Sequence, residues 1–190
     1  MNGLSRAVLD LTGFLESNRI PYMVIGGFAN LIWGNPRLTQ DVDVTVSVAE
    51  AAWPHFVSEV TARYRPTVVE PLEFVRRTRV LPIVCEEDVN ADLIFAALPF
   101  EDQAIARAVA IPLEGGSVRI CTAEDLILHK VISDRPRDQE DVEGVLIRQR
   151  GKLDLDYLRP RVVELAKGLD RPEIAEKFAE TMKRTGEQNP

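Results

Sequence analysis

The chain has 190 residues, 45% hydrophobic and 28% charged, enough for one well-buried core with a smaller appendage and short for two full domains. No apolar run approaches the roughly 20 residues of a membrane span. The net charge of −7 lies entirely in residues 1–129, where 10 Arg and no Lys stand against 17 Asp and Glu, while residues 130–190 balance 13 against 13. An acidic first part suits cation binding and excludes a protein that grips long DNA by phosphate neutralisation.

Leu4, Val8, Leu11 and Leu15 recur at helical spacing, which predicts an amphipathic helix from about Leu4 to Asn18. Arg6, Asp10 and Glu16 interrupt that apolar series, so the N-terminus does not read as a signal peptide. A short apolar strand, Tyr22 to Ile25, follows Pro21 and ends in Gly26-Gly27. A helical segment from Phe28 to Trp33 then meets a break at Gly34, Asn35 and Pro36. Glycines at a strand-to-helix turn let the backbone approach a ligand closely, and a helix start offers free N–H groups to an anion. Next comes Arg37-x-Thr39-x-Asp41-x-Asp43 inside a valine- and threonine-rich run, a predicted strand ending near Ser47. Alternate strand residues share a face, so Asp41 and Asp43 project together while Val42, Val44 and Val46 go the other way. Two carboxylates held side by side repel unless a cation sits between them, so this is the geometry of a divalent-metal site.

Ser47-x-x-Glu50 has the form of a capping box opening a helix from Ala49 to about Arg63. Thr67 to Val69 is a candidate strand, and Leu72 to Arg79 a candidate helix. Val80–Cys85 and Val89–Ala96 form a predicted hairpin around Glu86-Glu87-Asp88, and Asp92 is a lone acid within the second strand. A helix from Pro99 to Ala108 and a second hairpin, Val109–Leu113 with Ser117–Cys121 around Gly115-Gly116, follow. From Thr122 the pattern turns helical. Thr122-x-x-Asp125 caps a helix carrying Leu126, Ile127, Lys130 and Val131; Pro136 breaks it, and helices of about Arg137–Gln149, Leu155–Lys167 and Pro172–Arg184 complete the chain before a frayed tail, Gly186–Pro190. The organisation is an α/β core, 1–121, and a C-terminal helical region, 122–190, packed on it. Cys85 and Cys121, the only cysteines, cannot make a zinc site alone. Reduced thiols and a cytoplasmic location are expected.

Gly26-Gly27, the spacer, Arg37-x-Thr39-x-Asp41-x-Asp43 and the isolated strand acid Asp92 together resemble the DNA polymerase beta-like nucleotidyltransferase superfamily. Thr122-Ala123-Glu124-Asp125-Leu126, Lys130, Arg135 and Arg137-Asp138-x-x-Asp141 are similar to its minimal prokaryotic branch, which includes the AbiEii-like toxins of toxin–antitoxin pairs. The resemblance spans about residues 20–145. It implies an α/β (α+β) fold, a mixed sheet flanked by helices with a C-terminal helical part, and transfer of a nucleoside monophosphate from an NTP such as ATP to an acceptor hydroxyl. It further implies two Mg²⁺ ions, with Mn²⁺ the alternative, held by Asp41, Asp43 and Asp92, the last able to take the acceptor's proton. Gly26 and Gly27 would cradle the phosphates, Arg37 and Thr39 would lie beside them, and Lys130 would stand near the nucleotide. Arg135, Asp138 and Asp141 match as an outer layer. The implied acceptors are a tRNA end or a protein side chain, for a toxin controlled by an antitoxin protein, or a small molecule such as an antibiotic.

Plainer readings stand beside these. Asp41 and Asp43 could mark a solvent-facing strand edge, and Asp92 an edge acid paired with an arginine. Lys130 could be a helix-end cation, and Asp138 and Asp141 acids at a helix start, all favoured by the helix dipole. Arg76, Arg77 and Arg79 read as a solvated helix face. Neither His55 nor His129 reads as catalytic, and no nucleophile elbow or phosphate-binding Gly-x-x-x-x-Gly-Lys loop is present. A non-catalytic nucleotide-binding module of the same fold is the alternative class.

Overall fold

The computed structural model describes residues 3–98 and 100–186. The chain divides into two compact units, residues 1–28 with 38–121, and residues 29–37 with 122–190.

The first unit is built on a seven-stranded mixed sheet in the order β3-β4-β5-β2-β1-β7-β6. Its strands are β1 (Tyr22–Val24), β2 (Val42–Val46), β3 (Arg65–Pro66), β4 (Val80–Val84), β5 (Asn90–Phe95), β6 (Val109–Leu113) and β7 (Gly116–Ile120). β2 runs parallel to β5 and β1 parallel to β7; the other neighbours are antiparallel, including the hairpins β4–β5 and β6–β7. One face is sealed by Val42, Val44, Val46, Leu81, Ile83, Leu93 and Phe95, none more than 1% exposed. Phe95 meets Trp53 and Phe56 of α3 (Trp53–Arg63) edge-on, with ring centroids 5.2 and 5.7 Å apart. Helix α1 (Gly3–Ser17) buries Val8, Leu11 and Leu15 as the spacing predicts. Helices α4 (Pro71–Thr78) and α5 (Glu101–Arg107) complete the unit; the predicted start of the latter at Pro99 lies outside the described residues.

Prolines shape the sheet's β3 edge. Thr67 N donates to Pro82 O at 3.1 Å, so Pro82 turns its carbonyl, and the nitrogen that lacks a proton, towards β3. The reciprocal ladder bond cannot form and β3 stops after two residues. The strand expected at Thr67–Val69 is therefore displaced to Arg65–Pro66. Ser47 makes no capping box: its hydroxyl donates to Asp102 Oδ1 at 2.8 Å, and a single 3₁₀ turn, Glu50–Ala52, precedes α3.

Helix α2 (Gly26–Trp33) starts two residues earlier than predicted, and its part from Ala29 belongs to the second unit. That unit also holds α6 (Ala123–Val131), α7 (Pro136–Arg148), α8 (Leu155–Gly168) and α9 (Glu173–Thr185). The Thr122 cap forms as expected, its hydroxyl accepting from Asp125 N at 3.2 Å, and Tyr157 of α8 donates to the buried Asp125 carboxylate at 2.6 Å. Gln149 Nε2 donates to Trp33 O at 2.9 Å. Gly186 closes α9 in the left-handed region at φ 72°; of the predicted tail, residues 187–190 lie outside the described residues. No described helix is long and apolar enough to cross a membrane. Thr122→Ala removes the cap of α6 and should cost about 1 kcal/mol, read as a lower urea midpoint with an unchanged slope.

Candidate active site

The buried valines of β2 fix which way its acid points. Val42 and Val44 are fully buried, so Asp43 between them faces the opposite side and is half-buried. The same alternation holds in β5, where Ala91 and Leu93 are buried and Asp92 is not. Asp43 and Asp92 are register partners in the parallel β2–β5 pair, so their side chains rise from one face on strands about 4.8 Å apart. Asp41 lies one residue before β2 and is exposed.

Gly26, at the turn from β1 into α2, has φ 63°, a conformation that disfavours any residue with a side chain. A Cβ built there would lie 2.9 Å from the Asp43 Cβ and 2.7 Å from its Cγ, and would run into Oδ2. The glycine thus leaves the space that the Asp43 carboxylate fills. Its backbone is tied in beside it: Ile25 N donates to Asp43 O at 2.9 Å. Gly27 follows in the first turn of α2, where main-chain N–H groups have no helical acceptor. Burial pushes the Asp92 carboxyl above its ordinary pKa, and the charges of Asp43 and then Asp41 push it further. That Coulombic effect shows the three acids already feel one another.

The other predicted residues, Thr39 apart, form a separate cluster in the second unit. Arg37 forks onto Asp141, Nε to Oδ1 at 2.9 Å and Nη2 to Oδ2 at 2.8 Å. Lys130, 5% exposed, reaches Asp138 Oδ1 at 2.8 Å and Asp141 Oδ2 at 2.6 Å. Ser133 Oγ donates to Asp138 Oδ2 at 2.7 Å, and Arg135 Nε pairs with the same oxygen at 2.6 Å. Burial alone would raise the Asp138 pKa, but the hydrogen bonds from Lys130 and Ser133 and the Lys130 charge outweigh it and hold the group at about 2. Asp141 is lowered in the same way, with Arg37 the leading partner against burial. Ser133 carries no motif in the sequence that marks it; the N-cap position of α7 is Arg135. Thr39 Oγ1 donates to Asp41 O at 3.4 Å. His129 is held neutral at pH 7, its pKa lowered to about 4 by burial and then by Lys130.

Over residues 6–183 the sequence matches the family described as Nucleotidyltransferase of unknown function (DUF6036). The chain belongs to this family. No curated protein sequence matches it. Among solved structures, an antigenic nucleotidyltransferase-like protein from Paracoccidioides brasiliensis is similar at a TM-score of 0.55 and 16% identity, over 93% of this chain and 92% of that one. A lincosamide antibiotic adenylyltransferase, LnuA, solved with lincomycin bound, is similar at 0.50 and 12%, over 74% and 94%. These likenesses establish a polymerase beta-like nucleotidyltransferase fold; the toxin-type branch has no such support.

Family membership makes divalent-metal use a natural question for the three acids. Their hard carboxylate oxygens suit Mg²⁺, and the mutual repulsion at Asp92 is what a cation would relieve. Among the described residues, no group of three or more His, Cys, Asp or Glu stands close enough to hold an ion as placed, so the expected closed trio is not formed. The donor set fits an ion carried by one or two carboxylates and completed by substrate phosphates and water, a common mode for Mg²⁺.

The shifted carboxyls give opposite pH dependences. A carboxyl raised by folding destabilises the folded state when ionised, so Asp92→Asn should raise the thermal midpoint at pH 7 in EDTA, and the gain should shrink towards pH 4. A lower midpoint than wild type would refute the repulsion. Asp138, depressed from 3.8 to about 2, contributes stability that is complete above about 4 and is lost as pH falls from there towards 2. Asp138→Asn should flatten that acid limb. Gly26→Ala combines a left-handed φ with the Asp43 collision and should cost at least about 1–3 kcal/mol.

Proposed function

We propose that this chain transfers a nucleoside monophosphate from an NTP to an acceptor hydroxyl and releases pyrophosphate. The observation that carries the reading is the register pairing of Asp43 with Asp92, beside a glycine whose missing side chain makes room for the Asp43 carboxylate. Asp43 and Asp92, with Asp41, would hold Mg²⁺ or Mn²⁺. A bound divalent cation would neutralise the triphosphate and ease ionisation of the attacking hydroxyl. Gly26 and Gly27 would orient the phosphates through the open N–H groups of the α2 start. Asp92 would take the acceptor's proton, for which a raised pKa suits it better than an ordinary carboxylate. Thr39 is the side chain assigned to the nucleotide, while Arg37, forked onto Asp141, is assigned to positioning. Lys130, enclosed by Asp138 and Asp141, is assigned with them and Arg135 to positioning rather than to phosphate contact.

A small-molecule acceptor is favoured by charge. The first unit carries fifteen Asp and Glu against nine Arg and no Lys, a field that draws cations and repels a phosphate-rich acceptor. Incubation with Mg²⁺, each α-labelled NTP, and RNA or small-molecule acceptor panels tests both levels of the proposal. Label should pass to a small molecule, and Asp43→Asn should reduce transfer by more than about 100-fold, beyond the loss of an outer-layer partner. Equal transfer by that variant would overturn the reading. Label on a tRNA end or a protein, with growth arrest relieved by an antitoxin, would replace the acceptor assignment.

A further inference from the structure

Five residues on five adjacent segments stand in a row across the sheet. Gly26 follows β1, Asp43 is on β2, Asp92 on β5, Pro82 on β4, and Thr67 just beyond β3. Asp43 pairs with Asp92, Asp92 with Pro82, and Pro82 accepts a hydrogen bond from Thr67 N. Because Pro82 turns its polar backbone atoms towards β3, its pairing with Asp92 is of the non-hydrogen-bonded kind. Cα atoms then approach to about 4.5 Å and side chains pack closely. The Pro82 ring therefore stands directly beside the Asp92 carboxylate, on the same face.

We propose that the acceptor lies on the β4–β3 side of Asp92, against Pro82 and Thr67, and presents an apolar ring face to the Pro82 ring. The proposal rests on the nucleotidyl-transfer reading above. In that reaction the acceptor oxygen bonds to the α-phosphorus, the bond from that phosphorus to the bridging oxygen breaks, pyrophosphate leaves with the electron pair, and the hydroxyl proton passes to Asp92. Attacking and leaving oxygens must lie on opposite sides of the phosphorus. The open N–H groups at Gly26 and Gly27 put the phosphates at the β1 end of the row, so the acceptor comes from the other end. What it meets there first is apolar, the half-buried Pro82 ring, with the exposed Thr67 beyond it. Exposed Arg65 and Glu70 flank Thr67 on either side in sequence, so this stretch is balanced in charge and selects by shape and apolar contact. Pro82 and Thr67 become specificity-determining residues for the acceptor.

A tethered alcohol tests the placement without knowledge of the natural acceptor. Thr67→Cys is alkylated with N-(4-hydroxybutyl)maleimide, long enough to span the two strand spacings, roughly 10 Å, back to Asp92. Ser117→Cys, on β7 at the far flank of the sheet, serves as the control. Cys85 and Cys121 are buried, and burial holds the Cys85 thiol at about 12, so the introduced thiol is the one that reacts. With Mg²⁺ and α-labelled NTPs, the adduct at 67 should take up at least about tenfold more label than the adduct at 117. Asp92→Asn in the 67 background should abolish the difference. No label at 67 in a protein that still binds Mg²⁺–NTP, or equal label at 117, overturns the placement. Absence of Mg²⁺-dependent NTP binding in the unmodified protein overturns the nucleotidyl-transfer reading instead.

Discussion

The first unit depends on a register. Val42, Val44 and Val46 on β2, and Ala91, Leu93 and Phe95 on β5, turn into the same core and are almost wholly removed from water. A slip of one residue in either strand would send its acid into that core and a large apolar side chain out. Burying an unpaired carboxylate costs several kcal/mol, and each exposed Val, Leu or Phe forfeits roughly 1.5–3 kcal/mol. The apolar face therefore holds Asp43 and Asp92 abreast although their charges oppose it. Burial, and after it the charges of Asp43 and Asp41, push the Asp92 carboxyl above its ordinary range.

Charge is handled in the opposite manner in the second unit. Asp138 and Asp141 are buried, yet both carboxyls lie below their usual range because Lys130, Arg37, Ser133 and Arg135 meet them. Replacing a satisfied network of this kind with apolar groups can be neutral for stability, whereas removing one member leaves a buried charge exposed to nothing. Its value is thus geometric. It fixes Arg37, four residues ahead of Asp41 in the chain, to one pair of oxygens, and it draws α6 and α7 together through Lys130. Carboxylates such as Asp10, Glu73 and Glu87 in the first unit are likewise paired with arginines. The contrast is therefore between Asp92, raised by burial and by the Asp43 and Asp41 charges, and the lowered Asp138 and Asp141. That contrast separates groups disposed to receive a cation from groups disposed to hold a shape.

What could be read from the sequence divides along the same physical line. Local signals came through: the apolar spacing of α1, the Thr122 cap, whose partner is three residues on, and both hairpins. The helical C-terminal part follows from the order of those elements, and the mixed sheet from the family resemblance. Ser47 failed as a cap because its hydroxyl is claimed by Asp102, 55 residues away. The shift of β3 came from Pro82, which lacks the N–H that Thr67 O would accept, a partner 15 residues away that no local window contains. Alternation showed that Asp43 opposes an apolar face, but not that β2 and β5 are neighbours. Lys130 is the instructive case, since a lysine near a helix end says nothing about carboxylates eight and eleven residues later.

The Gly26 turn shows why these features belong to one argument. A diglycine between strand and helix is ordinary turn chemistry, and its permissive backbone explains a φ of 63° without reference to any ligand. It does not explain why the Asp43 carboxylate occupies the volume in which a Cβ would lie. An acid on a strand with an open face could turn to water, where its solvation is cheapest. Packed instead against the backbone at a helix start, it lies beside N–H donors that favour negative charge. The same donors would serve a phosphate, so Asp43 and an incoming polyanion compete for one patch of positive potential. Asp43 is one of the residues that would hold a divalent cation here, and such an ion would supply positive charge to the carboxylate and to a substrate phosphate alike. The glycine turn and the Asp43 carboxylate therefore belong to one feature, a strand acid seated against the start of a helix.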